Sequence, residues 1–555
     1  MTLSTLPVTP EPTGPGAAAC ADAATIPAWY RTSPRLRLQA IARAARDDYP
    51  AWLSHVQPAA ECVRPVRLAG LLTTIEAETG RLLSARSTAD MPDGVIYKPC
   101  GNRRASVCPA CSKRYQNDAY HVVRTGLVGG KGVPEQVAHH PAVFPTFTAP
   151  SFGEVHTRHV KRHTCTRRAD CDCRPEPCHA RRDLTVCPHG VRLACFARHD
   201  PDDTRLGTPL CLDCYDHDGQ VVWNLHAGEL WRRTTIAINR YIRRVCRERG
   251  VPKVEVTSER DGQLHTRRVW PVRLSFGKAA EMQRRGVAHF HAIIRLDGLD
   301  PADPDATVPP PAALDADDLK AAVDHAAATI TFTTEPHPAR RNGWPIGWGD
   351  QVLTKVITMA GRGEVTDAQV AAYLAKYATK STEVTGHVSS RITHDRIDLY
   401  ADRNGTHVER LVDACWRLAD ARWHCPLTLC QHHRHCFACA MRQLTADQDG
   451  PNPYERLQRW AHMLGFGGHF LTKSRRYSIT FALLRGQRVT FRRTQAAGPE
   501  HTEPGEALTT LVVNFLQFVG AGWRTPADAM LATTSAVMAR EHQHAARQHL
   551  TSLAA

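Results

Sequence analysis

His289 and His291 are separated by one apolar residue, Phe290, in the run VAHFHAIIRLDG. Side chains of an extended strand alternate faces, so both imidazoles point one way and Phe290 points the other. Two neutral imidazoles on a rigid strand can hold a divalent cation and leave positions open for a phosphate oxygen. Glu281 and Gln283 share the parity of the histidines on a preceding strand, and Arg284-Arg285-Gly286 can form the turn between the two strands. Either can supply a third, oxygen ligand. Glu281 is favoured, because a carboxylate suits Mg²⁺ or Mn²⁺ better than a neutral amide does.

A second group lies in AAYLAKYATK, where Tyr373 and Tyr377 are four residues apart and Lys376 and Lys380 are four apart beside them. On a helix this spacing stacks two phenols on one face with two ammonium groups alongside. A phenol titrating near pH 10 is a poor nucleophile at neutral pH. A neighbouring cation favours the phenolate and offsets charge developing on a phosphoryl group. Lys376 and Lys380 are assigned to that charge stabilisation and not to proton abstraction. Taken singly, each group also has a plain reading, as surface histidines or as a tyrosine-bearing core stripe with solvated lysines.

The chain has 19 cysteines and 30 histidines, many of them clustered. Clustered Cys and His at short spacings in a reducing compartment read as zinc sites. Cys100, Cys108 and Cys111 form C-x7-C-x2-C, with His121 or a more distant cysteine as fourth ligand, and the arginines and Lys113 around them suit DNA phosphates. In the middle of the chain Cys211-x2-Cys214 is the best half-site, with Cys187 and Cys195 available to complete it. Cys165, Cys171, Cys173, Cys178, His179, His189 and His199 exceed that one site and allow a second ion. Cys425, Cys430, Cys436 and Cys439 give C-x4-C-x5-C-x2-C, enough for one further zinc. Cys20, Cys62 and Cys246 stand apart and read as buried thiols.

The elements that must position these groups follow from hydrophobic period and turn residues. Residues 1–25 are rich in Pro, Ala and Thr and read as disordered, and the pattern over 34–86 is helical, so 1–95 forms a disordered tail and a helical region. A zinc-knuckle segment covers 96–135. A central core covers 136–390, with VFPTFTAP (143–150) as a buried strand and a Cys/His-rich insertion at 158–216. Leu225 to Arg249 reads as a helix, 254–298 as successive strands, 297–317 as a linker and 313–329 as a helix. Thr366, Asp367 and Gln369 cap a helix running to about Thr382. A zinc-binding region follows at 391–485, then a basic strand segment and a final helix near 527–552 within 486–555.

With 70 Lys+Arg against 55 Asp+Glu, the formal charge of the 555-residue chain is +15, which fits a polyanionic partner. The N-terminus has neither a basic n-region nor an apolar h-region, and no run approaches a membrane span, so the expectation is cytoplasmic, with no membrane partner. No GxxxxGK[ST] loop is present, which disfavours a fused P-loop helicase.

His-x-His followed by YxxKYxxK, in this order after the strand VFPTFTAP, resembles the HUH endonuclease superfamily. The likeness is greatest to its two-tyrosine rolling-circle initiators of the bacteriophage gene A type and of actinomycete plasmids or integrative elements. The runs PLCLDCYDHDG, VVWNLHAGELWRRTTIAI and RWAHMLGFGGHFLTKSRRYS add to it, and the resemblance then spans about 95–485. It implies an α+β fold: an antiparallel HUH nuclease core with His289 and His291 on a central strand, zinc-stapled insertions and helical terminal regions. It further implies Mg²⁺ or Mn²⁺ on His289, His291 and Glu281 or Gln283, with structural Zn²⁺ elsewhere. Tyr373 or Tyr377 then attacks a scissile phosphate of single-stranded or supercoiled origin DNA, leaving a 5′-phosphotyrosine and a 3′-OH for a host polymerase, with a host helicase opening the duplex. A two-tyrosine transposase would share this chemistry. A relaxase usually carries its tyrosine ahead of the histidines. A non-enzymatic zinc DNA-binding regulator would explain the charge and cysteines but not the ordered His and Tyr groups.

Overall fold

The computed structural model describes residues 34–160, 175–419, 452–497 and 510–554, apart from 77, 182, 184, 358–365, 378 and 380–389. It divides into two units, 101–504 and 1–100 with 505–555. Among the described residues no helix is long and apolar enough to cross a membrane.

The larger unit is built on a five-stranded sheet. Its strands are β1 (Ala142–Phe147), β2 (Val272–Met282), β3 (Ala288–Gly298), β4 (Leu353–Val356) and β5 (Leu471–Lys473). Their order is β4-β1-β3-β2-β5 and every pairing is antiparallel, so the fold is α+β with the His289–His291 strand in the centre. Every residue of β3 is buried, as a central strand covered on both faces requires. One face carries His289, His291, Ile293, Arg295 and Asp297. The other carries Ala288, Phe290, Ala292, Ile294 and Leu296, all packed in the main core.

That core is covered by α2 (His217–Glu248) and α3 (Ala316–Thr329), after α1 (Pro109–Val128) earlier in the chain. The expected helix from Leu225 begins earlier because the Asp216 side chain accepts the Gly219 N–H as an N-cap. Asp315 and Asp318 form a reciprocal capping box that fixes the start of α3. On the opposite face of the sheet, Val123 and Leu127 of α1 pack with Ile293 and Ala279 against Val370, Ala371 and Leu374 of α4 (Asp367–Tyr377). Thr366 and Gln369 bond each other's backbone N–H at 3.3 and 3.1 Å, the expected cap of α4.

Lys278 points from β2 into the main core, its ammonium 3.8 Å from the Phe290 ring centre and 5.1 Å from that of Trp231. Burial pulls its pKa down from 10.5 to about 7. Below that pH both folded and unfolded chains carry the charge. Between pH 7 and 10.5 only the unfolded chain holds the proton, so stability rises with pH across this window. Lys278→Met is expected to flatten that rise by about 2 kcal/mol or more, read from urea unfolding at the two ends of the window.

Two parts of the sequence expectation are overturned. Residues 481–497 form a helix, α6 (Phe481–Ala497), following α5 (His407–Ala419), where a basic strand was expected. Thr480 Oγ1 accepts the Leu483 N–H at 3.1 Å, and Arg485 and Arg488, one turn apart, both grip the buried Asp118 of α1. Helical spacing is what brings two arginines onto one carboxylate.

The second correction concerns the smaller unit, where the expected helical pattern over 34–86 holds only for Pro34–Ala44 and Tyr49–Val56. Residues Val66–Glu76 and Leu82–Ser87 are instead an antiparallel hairpin, with Gly80 at φ +70° in its turn. Val66–Glu76 also pairs along its length with Thr510–Ala521. Thr73, Thr74 and Ile75 are β-branched, and a partner strand more than 400 residues away decides their state. Within this unit Asp93 accepts from Arg43, Trp52 and Tyr97 at 2.9–3.0 Å, and Arg43 also donates to Asp528 of the final helix, Pro526–Ala554.

Candidate functional site

The β2–β3 hairpin sets the geometry at the centre of the larger unit. Gln283 N–H bonds Val287 C=O at 2.9 Å, and Gly286 takes φ +79°, as the Arg284-Arg285-Gly286 turn requires. The hairpin register places Glu281 opposite His289 and Ala279 opposite His291. The His289 and His291 rings lie 4.6 Å apart, and both residues are buried, 9% and 3% exposed. Glu281 Oε2 is 3.3 Å from His291 Nε2, and Gln283 Nε2 is 3.4 Å from His289 Nδ1. Burial lowers His289 to a pKa of about 3, so its ring is neutral and able to donate a lone pair.

Three supports hold this pair that spacing did not reveal. Thr146 on β1 is paired with His291, and its Oγ1 lies 3.2 Å from His291 Nδ1. With Nδ1–H donating to that hydroxyl, Nε2 keeps its lone pair beside Glu281. Asn224 of α2 receives the Ala288 N–H at 2.9 Å and donates to Gly286 and Leu464 carbonyls, fixing the start of β3. Further along the same face Arg295 and Asp297 form a fully buried ion pair at 2.7 and 2.9 Å. Asp297 also takes His140 Nδ1 at 2.7 Å, and Arg295 donates to the Gly126 and Tyr477 carbonyls. Burial acts to raise the Asp297 pKa, but the His140 and Arg295 donors hold it below the ordinary carboxylate range. The parity of Thr146 in VFPTF was the one sequence signal for any of these.

Tyr373 meets the pair from α4. Its ring centre is 4.9 Å from that of His291, edge to face, and 5.8 Å from that of Phe144, which itself stacks on His291 at 6.2 Å. Tyr373 remains 39% exposed, while Val370, Ala371 and Leu374 of the same helix are buried. Lys376 is on the exposed side of α4. Tyr377 ends the helix, and its side chain, like the whole of Lys380, lies outside the described residues. His289, His291, Glu281, Gln283 and Tyr373 all line one cleft of about 880 Å³, with Arg158, Arg284 and Arg285 on its walls. The donor set of two imidazoles and a carboxylate fits a divalent ion with open positions.

The same cleft runs to the Cys/His-rich insertion, since His156 and Cys178 also line it. The donors there fall into two groups, His156, Cys178, Cys195 and His199, and Cys187, His189, Cys211 and Cys214. Within each group the ligand atoms lie within 4.8 Å of one another, and each group can hold a metal such as zinc. This corrects the expected grouping: Cys195 stands apart from Cys187, Cys211 and Cys214, and His189 takes the place expected for it. Cys165, Cys171 and Cys173 lie outside the described residues, as do Cys425, Cys430, Cys436 and Cys439.

Of the first cluster, Cys108 caps α1 and Cys111 is buried in its first turn. Cys100 belongs to the smaller unit, where its N–H bonds the Sγ of Cys62 at 3.2 Å. Cys62, expected to stand alone, is therefore a neighbour of that cluster's first cysteine.

Residues 48–537 match the family described as RepSA, replication initiator protein, pSAM2. A protein of Streptomyces ambofaciens named replication initiator protein is 35% identical over 515 residues, covering 91% of this chain and 94% of the relative. No solved structure matches.

Proposed function

The chain belongs to the pSAM2 family of replication initiator proteins, and from that premise we propose that it is a rolling-circle initiator that nicks one strand of origin DNA with a tyrosine nucleophile. The observation that carries this reading is the Tyr373 ring, 4.9 Å from His291 and open to a cleft that also holds His289 and Glu281.

Arg158, Arg284 and Arg285 on the cleft walls, beside the acidic Glu154, Glu281 and Asp350, offer contacts to a DNA backbone. Backbone contacts of that kind position the strand, and an open cleft admits it single-stranded. A divalent cation held by His289, His291 and Glu281 would supply charge to polarise the non-bridging oxygens of the scissile phosphate. Tyr373 Oη attacks the phosphorus, forming the Tyr–O–P bond and breaking the bond to the 3′ oxygen. The phenolic proton passes to water, and the released 3′ oxygen takes up a proton to become the 3′-OH primer for a host polymerase, with a host helicase opening the duplex. Phe144 and His291 hold the Tyr373 ring edge-on, which limits the rotamers it samples and pre-orients the attack. Lys376 of α4, and Lys380 four residues on in sequence, offset charge on the phosphoryl group. Tyr377 serves the second cleavage, which separates the displaced strand after one round.

The test is incubation of the chain with supercoiled plasmid carrying its origin and Mn²⁺. Nicked circles with protein attached at the 5′ end are expected, and the attached peptide should contain Tyr373. Tyr373→Phe should lower first-round adduct by about 10³-fold. Tight binding of origin DNA with neither nick nor adduct, under any divalent metal, would instead make the protein a zinc-containing DNA-binding regulator.

A further inference from the structure

Among the described residues of 154–216 there is no helix, and no strand beyond single bridges such as His179 with Cys195 and Val186 with Arg192. Val186, Val191 and Phe196 face solvent, so the segment has little apolar core of its own. A segment of this kind needs another source of order.

We propose that this segment is a cross-braced module holding two zinc ions, one on His156, Cys178, Cys195 and His199 and one on Cys187, His189, Cys211 and Cys214. In chain order the donors run 156 and 178, then 187 and 189, then 195 and 199, then 211 and 214, so successive pairs alternate between the two sites. Each ion thereby closes a loop that contains ligands of the other.

The distances fit four-coordinate ions. Zinc at its usual bond lengths holds a sulfur and a nitrogen ligand about 3.6 Å apart. Cys195 Sγ is 3.6 Å from His199 Nε2 and Cys178 Sγ is 3.8 Å from His156 Nδ1. In the second site His189 Nδ1 is 3.2 Å from Cys214 Sγ and 3.9 Å from Cys211 Sγ. An independent feature marks each site. His199 turns its other nitrogen, Nδ1, to Asp203 at 2.7 Å, the carboxylate–histidine arrangement that orients a metal ligand. Cys187-Pro188-His189-Gly190 is a tight knuckle, with Gly190 N–H on the Cys187 carbonyl at 2.9 Å and Gly190 at φ +77°. His179 Nδ1 also approaches Cys178, at 3.0 Å, with its Nε2 on Glu154 at 3.1 Å, but it lies outside the four donors that gather within 4.8 Å of one another, and it is not assigned as a ligand.

The first site fixes a wall of the cleft. Arg284, in the turn leading to His289, donates to the Asp203 carbonyl at 2.9 Å and the Pro201 carbonyl at 2.5 Å. Gly207 packs its backbone against Arg284 and Arg285 at φ +86°, where no larger residue fits. The ion on His199 therefore organises the segment against which the β2–β3 turn rests.

Zinc content of the purified full chain tests the pairing. Cys195→Ser and Cys211→Ser should each lose one ion relative to the unsubstituted chain, and the double variant should lose two. His179→Ala should lose none. Loss of a single ion in the double variant would place both cysteines in one site and overturn the proposal, as would no loss in either single variant. Because these variants can fail to fold, the unsubstituted chain gives a second measurement. Under stepwise removal of zinc by chelator with thiol alkylation and mass spectrometry, Cys178 and Cys195 should lose protection together. Cys187, Cys211 and Cys214 should do so as a separate set. Co-labelling of Cys195 with Cys211 and Cys214 would overturn the cross-brace.

Discussion

Replacing both His289 and His291 with alanine is expected to lower metal-dependent nicking by about 10³-fold or more, with the fold retained. The magnitude follows from the several kcal/mol that a polarising cation contributes to phosphoryl transfer, each 1.4 kcal/mol being about tenfold in rate. The rings project from the sheet face that also carries the cleft, beside the partly exposed Tyr373, so their loss leaves the main core on the opposite face intact. Glu281→Ala alone should have a smaller effect, because two imidazoles remain. Initial rates on supercoiled origin plasmid across a Mn²⁺ titration would measure this, with circular dichroism as the check on folding. Nicking at the unsubstituted rate by the double variant would remove the pair from the chemistry.

Asp297→Ala is expected to destabilise the larger unit by about 3–5 kcal/mol, because it leaves the buried Arg295 guanidinium without its carboxylate. Arg295 is fully buried, and its other acceptors are two backbone carbonyls that cannot neutralise it. His140, too, loses its partner at 2.7 Å. The double variant Asp297→Ala with Arg295→Met should recover much of the loss, since no isolated charge is then buried. Urea unfolding of the three proteins would show it. If the single variant were as stable as the unsubstituted chain, water must reach Arg295 and the ion pair would not be the clamp beneath the histidine strand. Because His289, His291, Arg295 and Asp297 share one face of β3, a stability loss here should lower nicking as well, through the position of the strand.

Local periodicity carried the central arrangement. Alternation along AHFHAIIRLDG put His289 and His291 on one face and Phe290 in the core, and the structure has that alternation through Asp297. A polar cap followed by Val370, Ala371 and Leu374 at helical spacing located the helix of Tyr373. These features depend on neighbours within a few residues, so the sequence by itself determined them.

What the tertiary structure decided depends on partners far along the chain. Residues 66–87 carry a pattern that suits a helix, yet Thr510–Ala521 pairs with Val66–Glu76 and makes it a strand. The run 481–497 looks like a basic strand until Asp118, buried on α1, draws Arg485 and Arg488 to the same helical side. Cys195 is nearer in sequence to Cys187 than to Cys178, but the bridge between His179 and Cys195 folds the chain back and assigns it to the His156 site. Spacing can count ligands, but it cannot divide them between ions when the loops cross. The division is set by how the backbone closes, and that is a property of the folded chain.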